Sequence, residues 1–587
     1  MKKVLSIFLC CLLLTGCGGN AVAEATYAAE EPTRAAAETV VPSPQLTAAQ
    51  SEGAQLVSRF DSETVILLSD EGITVDGGEE TEAVYTSRDI IYYEDKDAYE
   101  SGNPYGEGKA ADKHTAQEAD AHLVVNITAP GAYRVSGKLA AGQIRVDLGE
   151  DAYYEPDAVV ELILDGADIT CTVAPAILFL NTYECDGSWS EEDAKPQVDT
   201  SAAGANLILE KHNTVNGSYV AKIYKDKEGE KKLWKQDGAI YSYMSMNVWG
   251  SGSLELTAQN EGMDTELHLT VNGGDIVIRS DNDGINTNED GVSVTTINGG
   301  CVQIYAGLGA EGDGIDSNGY LVINGGVVFA AAHPAADSGM DSDLGTYING
   351  GTVLALGSSM NQANSDSAQT SMNLQFSASQ QPGSSLVVTD GNGTVVFAYA
   401  PDASAVNRSY TGAILSCPNL KLGSTYQVCT GGSLKGGEAV GCLVDVTTVT
   451  GYEGGTQLQH AGASQAGGFG GFGGGRPDMG NFQPGERPEG EFERPEGFDG
   501  RMPGGFEGDM PEGFDPSRFE RPEGDFGGRG QGGERPEGFD PSAFEGGKMP
   551  EGMPQGGFGN RGEGSQERSP EFVMSEKVLT FRGVTTV

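Results

Sequence analysis

The chain has 587 residues, 87 glycines and a formal net charge of -49. Such a polyanion does not bind nucleic acid or anionic lipid through their phosphates, which excludes the functions that need a basic face. Its carboxylates suit divalent cations instead, and its length accommodates either several domains or one long array of stacked units.

At the N-terminus, Lys2 and Lys3 precede an apolar run from Val4 to Leu14 that closes with Leu14-Thr15-Gly16-Cys17. A charged start, a short apolar core and small residues before a cleavage point describe a secretory signal, and the run is too short to span a bilayer. The last four residues match a bacterial lipobox. They predict a signal peptide over 1–16, lipidation of Cys17, membrane anchoring through that lipid and an extracytoplasmic location at the cell surface. Residues 17–55, rich in Ala, Glu, Thr and Pro, read as a flexible tether. Residues 56–120 hold the apolar stretch Val65 to Leu68 and a Tyr/Asp/Glu-rich segment, and read as an N-terminal cap region.

From Asn126 short β runs alternate with glycine, as in Tyr133-Arg134-Val135, Ile144-Arg145-Val146 and Val159 to Leu164. Val271-Asn272-Gly273-Gly274 then recurs at Ile297, Ile323 and Ile348, in steps of 26, 26 and 25 residues. A fixed period of this size signals stacked supersecondary units. Aligned on the glycine pair, Ile276, Val302, Val328 and Val353 share a register, as do Ile278, Ile304, Ala330 and Ala355. Strand side chains two apart face the same way, so these sets predict aliphatic ladders in one continuous core. The expected fold is all-β: a right-handed parallel β-helix over 121–360 with roughly ten rungs.

A second motif precedes each repeat: Glu261-Gly262-Met263-Asp264, Asp283-Gly284-Ile285-Asn286, Asp313-Gly314-Ile315-Asp316 and Ser338-Gly339-Met340-Asp341. Ile or Met is expected to point inward and the flanking Asp and Asn outward. Stacking then places the carboxylates in a column, where like charges repel unless something neutralises them. Ca²⁺, a hard cation that takes oxygen ligands, answers that need. The alternative is plain turn chemistry, because Asp-Gly and Asn-Gly form turns without a metal.

Residues 361–461 contain a strand, turn, strand pattern at Leu386 to Phe397 and read as a small antiparallel C-terminal β cap. Residues 462–570 repeat Arg-Pro-Glu-Gly from Arg487, Arg494, Arg521 and Arg535, and are expected to be disordered. Phe572 to Met574 and Val578 to Phe581, within 571–587, suggest a last strand returning to the cap. Beyond Cys17 lie six cysteines, Cys171, Cys185, Cys301, Cys417, Cys429 and Cys442, which form disulfides or stay as buried thiols.

The runs Gly131-Ala132-Tyr133-Arg134-Val135-Ser136-Gly137, Gln143 to Asp147, Leu162 to Ile169 and Asp237 to Ser242, with the Asn-Gly-Gly repeats, resemble the bacterial carbohydrate-binding β-helix domain family. The resemblance covers about 120–360. It implies a calcium-bearing right-handed β-helix, similar in fold to polysaccharide lyases, that binds plant cell-wall polysaccharide including acidic sugars. It carries calcium ligation onto Asp264, Asp283, Asp313, Asp316 and Asp341. Asn286 and Ser338 stand where the other copies carry acids.

A lyase acting on uronates needs a strong base. Between Gln236 and Asn407 the sole Lys or Arg is Arg279, expected to pair with Asp281 or Asp283. A binder needs less: shared calcium for an acidic glycan, or aromatic faces for a neutral one. Trp249, Tyr241 and Tyr347 are the selected candidates for such faces, beside Trp189, Trp234 and Tyr243. Tyr347 is expected to face outward because it neighbours inward Ile348. The sequence therefore predicts a non-catalytic, calcium-dependent polysaccharide binder. A calcium-dependent lyase and a structural adhesin or spacer are the alternatives.

Overall fold

The computed structural model describes residues 57–93, 105–107, 113–187, 194–224, 232–358, 361–401, 407–465 and 568–587. The predicted signal peptide, Cys17, the tether, Trp189 and nearly all of the low-complexity stretch lie outside these residues. The described chain is almost all β. Its helical pieces are one five-residue helix, Ala116–Asp120, and one 3-10 turn, Glu150–Tyr154. No helix among the described residues is long and apolar enough to cross a membrane.

Between the cap segments the strands stack in three parallel columns. The first runs through Ala205–Glu210, Met246–Gly250, Leu269–Val271, Val294–Ile297, Tyr320–Ile323 and Gly345–Ile348. The second runs through His212–Gly217, Ser253–Ala258, Asp275–Ser280, Cys301–Tyr305, Val327–Ala331 and Thr352–Gly357. The third runs through Leu123–Ile127, Gly142–Asp147, Ile177–Asn181, Gly238–Ser242, Glu261–Thr265, Ile285–Thr287 and Ile315–Ser317. Each repeat contributes one strand to each column, and each strand pairs with its equivalent one repeat away.

The registers set the core. Leu254, Ile276, Val302, Val328 and Val353 are successive partners in the second column, and so are Leu256, Ile278, Ile304, Ala330 and Ala355. Every one of them is buried, together with Val248, Val271, Ile297, Ile323 and Ile348 of the first column. Each large aliphatic side chain removed from water in this way contributes about 1.5–3 kcal/mol. The turn after the first column is held by an amide ladder. Asn298, Asn324 and Asn349 each donate through Nδ2 to the Oδ1 of the asparagine one repeat earlier, at 2.9 Å each time. The glycine pair after each asparagine is a packing demand as well as a conformational one. Gly300 has φ of 83°, and a Cβ there would sit 2.5 Å from the carbonyl oxygen of Gly274.

At the C-terminal end the second column stops pairing with its own kind. Thr352–Gly357 meets Tyr410–Ser416 antiparallel, which begins a cap built from Ser371–Gln380, Leu386–Asp390, Val395–Tyr399 and Thr425–Thr430. The cap also lies against the outer face of the second column, where Phe329, Leu354 and Leu356 are buried among cap residues Leu374, Phe397 and Leu415. The last strand, Val578–Thr586, pairs with Ser371–Gln380 in parallel and with Gly462–Gln465 antiparallel. Low complexity was expected from 462, yet 462–465 is a strand, because the last strand offers it an edge to pair with. Among the described residues all six cysteines are free thiols, five of them buried, which decides for thiols over disulfides.

Candidate functional site

The third column alternates like any strand. Ile240, Met263, Ile285 and Ile315 are register partners and enter the core. Their neighbours Tyr241, Asp264, Asn286 and Asp316 form the adjacent ladder on the opposite face. A second line of acids runs along the turn that enters this column, where Asp237, Glu261, Asp283 and Asp313 each precede a glycine. Main-chain bonds lock those turns together. Gly262 N donates to Asp283 O at 2.9 Å, Gly284 N to Asp313 O at 3.0 Å and Gly314 N to Ser338 O at 2.9 Å.

The two lines converge at Asp237, Glu261 and Asp264. One carboxylate oxygen from each lies within 4.8 Å of the others. Asp264 is fully buried and Glu261 nearly so. Buried oxygens are ordinarily hydrogen-bonded. Here Asp237 Oδ1, Glu261 Oε2, Asp264 Oδ2 and Asn286 Oδ1 are all buried with no hydrogen-bond partner among the described residues. The other oxygen of Asp264 accepts from Asn288 Nδ2 at 2.5 Å. Lys235 bridges to Asp237 at 3.0 Å. Burial disfavours the ammonium charge of Lys235, but Asp237, Glu261, Asp264 and Glu266 outweigh it and hold the group well above the usual lysine range. One cation thus faces four carboxylates.

The remaining acids feel that shortage. Burial pushes Asp264 well above the usual carboxylate range, and the charge of Glu261 adds to it. Burial also raises Glu261, with Lys235 opposing. Asp283 and Asp313 are raised by burial and by neighbouring acids. Asp316 is pushed up to about 7 by burial and then by Asp341 and Asp343. Burial raises Asp341 as well. Four unpartnered oxygens in a carboxylate and amide set, with no nitrogen or sulfur donor among them, fit a hard cation that takes oxygen ligands.

Of the five predicted ligands, Asp264 alone belongs to this triad. Asp283 and Asp313 sit in the turn line, where Asp283 Oδ1 accepts from Asp313 N at 2.6 Å. Asp316 lies in register with Asn286, and Asp341 stands beyond it, accepting from Ser342 N at 2.8 Å and from the amide of Asn361. Sequence reasoning misses Asp237, Lys235 and Glu261 as site residues. Extending the acid-glycine pattern one repeat toward the N-terminus reaches Asp237-Gly238, so that signal was present.

The aromatic candidates divide. Tyr241 is corrected: it is fully buried, in edge contact with Tyr243 at 5.0 Å, and its hydroxyl donates to Glu266. It supports the acidic site and offers no face to solvent. Trp249 is half-buried on the outside of the first column, packed along Ala132, Ile163 and Ile208. Tyr347, also half-buried, has its ring centroid 6.0 Å from that of Tyr320, and its hydroxyl accepts from Asn364 Nδ2 at 3.2 Å. Trp249 and Tyr347 share one column four strands apart, roughly 19 Å at the usual strand spacing. Tyr243 packs against Tyr241, and the side chain of Trp234 lies outside the described residues. Arg279 does not pair with Asp281 or Asp283. Strand register sets it beside Tyr305, with the guanidinium 5.8 Å from the ring centroid.

Residues 121–409 match the family described as "Carbohydrate-binding domain-containing protein". A protein of that description from Acetivibrio thermocellus is 29% identical over 174 residues, which are 29% of this chain and 51% of the relative. The chain thus spans about half the length of the curated relative it matches. Among solved structures, a polysaccharide lyase-like protein from C. thermocellum, determined as a gadolinium derivative, aligns at 20% identity with a TM-score of 0.30. That alignment covers 49% of this chain and 93% of the other.

Proposed function

We propose that this chain binds polysaccharide through a right-handed parallel β-helix loaded with calcium, without catalysing a reaction, and that Cys17 anchors it to the cell surface through lipid. The observation that carries the metal part is the buried group of Asp237, Glu261 and Asp264, each with one oxygen that has no hydrogen-bond partner among the described residues. Asp237, Glu261, Asp264 and Asn286 would hold the ion. Bound there, calcium would neutralise the buried carboxylates of the acidic column, so that an acidic glycan meets less repulsion from a protein of net charge -49. Three parallel columns with one strand per repeat in each are what a β-helix requires, and the family match over 121–409 supports carbohydrate as the partner. Trp249 and Tyr347, on the outside of one column, are spaced to stack on separate residues of one extended chain.

The test is retention of the protein on immobilised polygalacturonate and on cellulose, each with calcium and with EDTA. The expected result is retention on polygalacturonate with calcium and release by EDTA, with Asp264→Asn lost from the column in both conditions. Passage through both columns in every condition would overturn the carbohydrate reading. Retention that ignores EDTA and Asp264→Asn would overturn the role of the metal.

A further inference from the structure

A short arm, Ser58 to Phe60, crosses the outer face of the first column before the strand Glu63–Ser69 begins. The column is continued toward the N-terminus by Val160–Thr170, which pairs in parallel with Ala205–Glu210. Ile163, Ile208 and Trp249 are successive register partners on the outer face, roughly 10 Å from first to last at the usual strand spacing. Phe60 packs with Trp249 on this stripe, against Ala132, Ile163 and Ile208. Beside the stripe stands Glu161, which is buried and whose two oxygens both accept from the arm. Ser58 Oγ donates to Oε2 at 2.6 Å and Arg59 N to Oε1 at 2.9 Å, while the Arg59 guanidinium reaches the carbonyl of Ser201.

The hold is slight. One half-buried ring and three hydrogen bonds are set against the entropy of ordering an arm whose other side chains are exposed. What the arm presents is chemically specific: a flat apolar ring laid on an aliphatic and aromatic stripe, and a hydroxyl given to the carboxylate at its edge. A pyranose ring presents the same pair, an apolar face and hydroxyl donors around it. Charge then selects among sugars. Glu161 takes a hydroxyl and an amide and adds a negative charge to the face, so a neutral chain is favoured there over a uronate.

We infer that Ile163, Ile208 and Trp249, with Glu161 at their edge, form a binding face for neutral glucan, and that the Ser58–Phe60 arm is its displaceable occupant. The inference rests on the carbohydrate reading, and on Trp249 in particular, but not on calcium. Glucan on this face lays its rings along the stripe and gives hydroxyls to Glu161 in place of Ser58. The wild type binds it weakly, because the arm must leave first.

The experiment is calorimetric titration of the full chain with cellohexaose in EDTA, for the wild type, Phe60→Ala and Arg59→Pro. Phe60→Ala withdraws the ring. Arg59→Pro removes the amide donor to Glu161 together with the guanidinium, and leaves the stripe untouched. Each is expected to raise affinity about tenfold, the factor that applies when the arm leaves the face free a tenth of the time. Adding Trp249→Ala to Phe60→Ala is expected to abolish the gain. If Phe60→Ala melts early, Arg59→Pro, whose change is confined to the exposed arm, decides. Affinity unchanged or lowered in both arm variants, or a gain that survives Trp249→Ala, would each overturn the inference. Retention on polygalacturonate in calcium, which reports on the acidic column, is expected to be equal in the wild type and both arm variants. No cellohexaose binding in any variant, with that retention intact, therefore overturns the neutral face alone, and loss of both overturns the carbohydrate reading with it.

Discussion

Two clusters of acids in this molecule meet the same electrostatic problem and meet it differently. On the outside of the first column, Glu63, Asp165 and Glu210 gather around Arg134 at 2.6, 3.5 and 2.6 Å, and Lys211 takes the other oxygen of Asp165 at 2.8 Å. The hydrogen bond from Arg134 holds Glu63 below the usual carboxylate range. On the third column, Asp237, Glu261 and Asp264 gather around Lys235, which bridges one of them, and Asp264 and Glu261 are pushed upward by burial. The first cluster is neutralised by the chain itself and remains partly wet. The second is dry and short of positive charge. A folded chain sustains the first at any calcium concentration, whereas the second is comfortable only when protonated or when a cation joins it.

The sharpest way to break that comparison is to create an acid with neither remedy. Ile323→Asp puts a carboxylate into the aliphatic ladder between Ile297 and Ile348, where no cation and no donor stands. A loss of more than about 4 kcal/mol is expected, read as a collapse of the denaturant midpoint that calcium does not repair. Next in size is the metal. Calcium at a hundredfold excess over its dissociation constant should stabilise the wild type by about 2.7 kcal/mol, and Asp264→Asn should abolish most of that gain. A melting temperature that calcium leaves unmoved would remove the distinction between the two clusters.

The same contrast has a pH signature with a definite sign. Asp316 titrates at about 7 in the folded chain, against about 3.9 for a free aspartate. The folded state therefore binds more protons than the unfolded one between those values, and its stability falls as pH rises. In EDTA the melting temperature should decline from pH 5 to 7, and saturating calcium should flatten the slope. A melting temperature that climbs over this window in EDTA would mean that the buried acids are already neutralised within the protein.

How much of this was legible depended on whether a property belongs to one strand or to what packs over it. Register was legible, because Ile276, Val302, Val328 and Val353 are spaced by a constant period and alternate with polar neighbours. The acid column was legible for the same reason at Asp264, Asp283, Asp313 and Asp316. Tyr241 was misread because alternation tells which way a side chain points and says nothing of what covers it. Tyr241 does leave the core face, and Tyr243 and Glu266 then enclose it. Arg279 was misread as a partner of nearby acids because sequence neighbours are not strand neighbours, and the register gives it Tyr305 instead. Lys235 lies ahead of the repeats, on a strand that no period announces. Which column the cap covers was closed to the sequence too, because it depends on long-range pairing such as Leu354 with Leu415.

The smallest expected effect tests the wet cluster. Arg134→Gln removes the one group that touches Glu63, Asp165 and Glu210 together, leaving Lys211 with Asp165. Because Glu63 and Glu210 are partly open to water, solvent screens much of what is lost, and a cost of about 1 kcal/mol is expected. The loss should shrink in high salt, and the calcium-induced rise in melting temperature should equal that of the wild type. If Arg134→Gln instead diminished the calcium response, the two clusters would be coupled through the columns, and the division between an acid group satisfied by the chain and one that awaits a cation would fail.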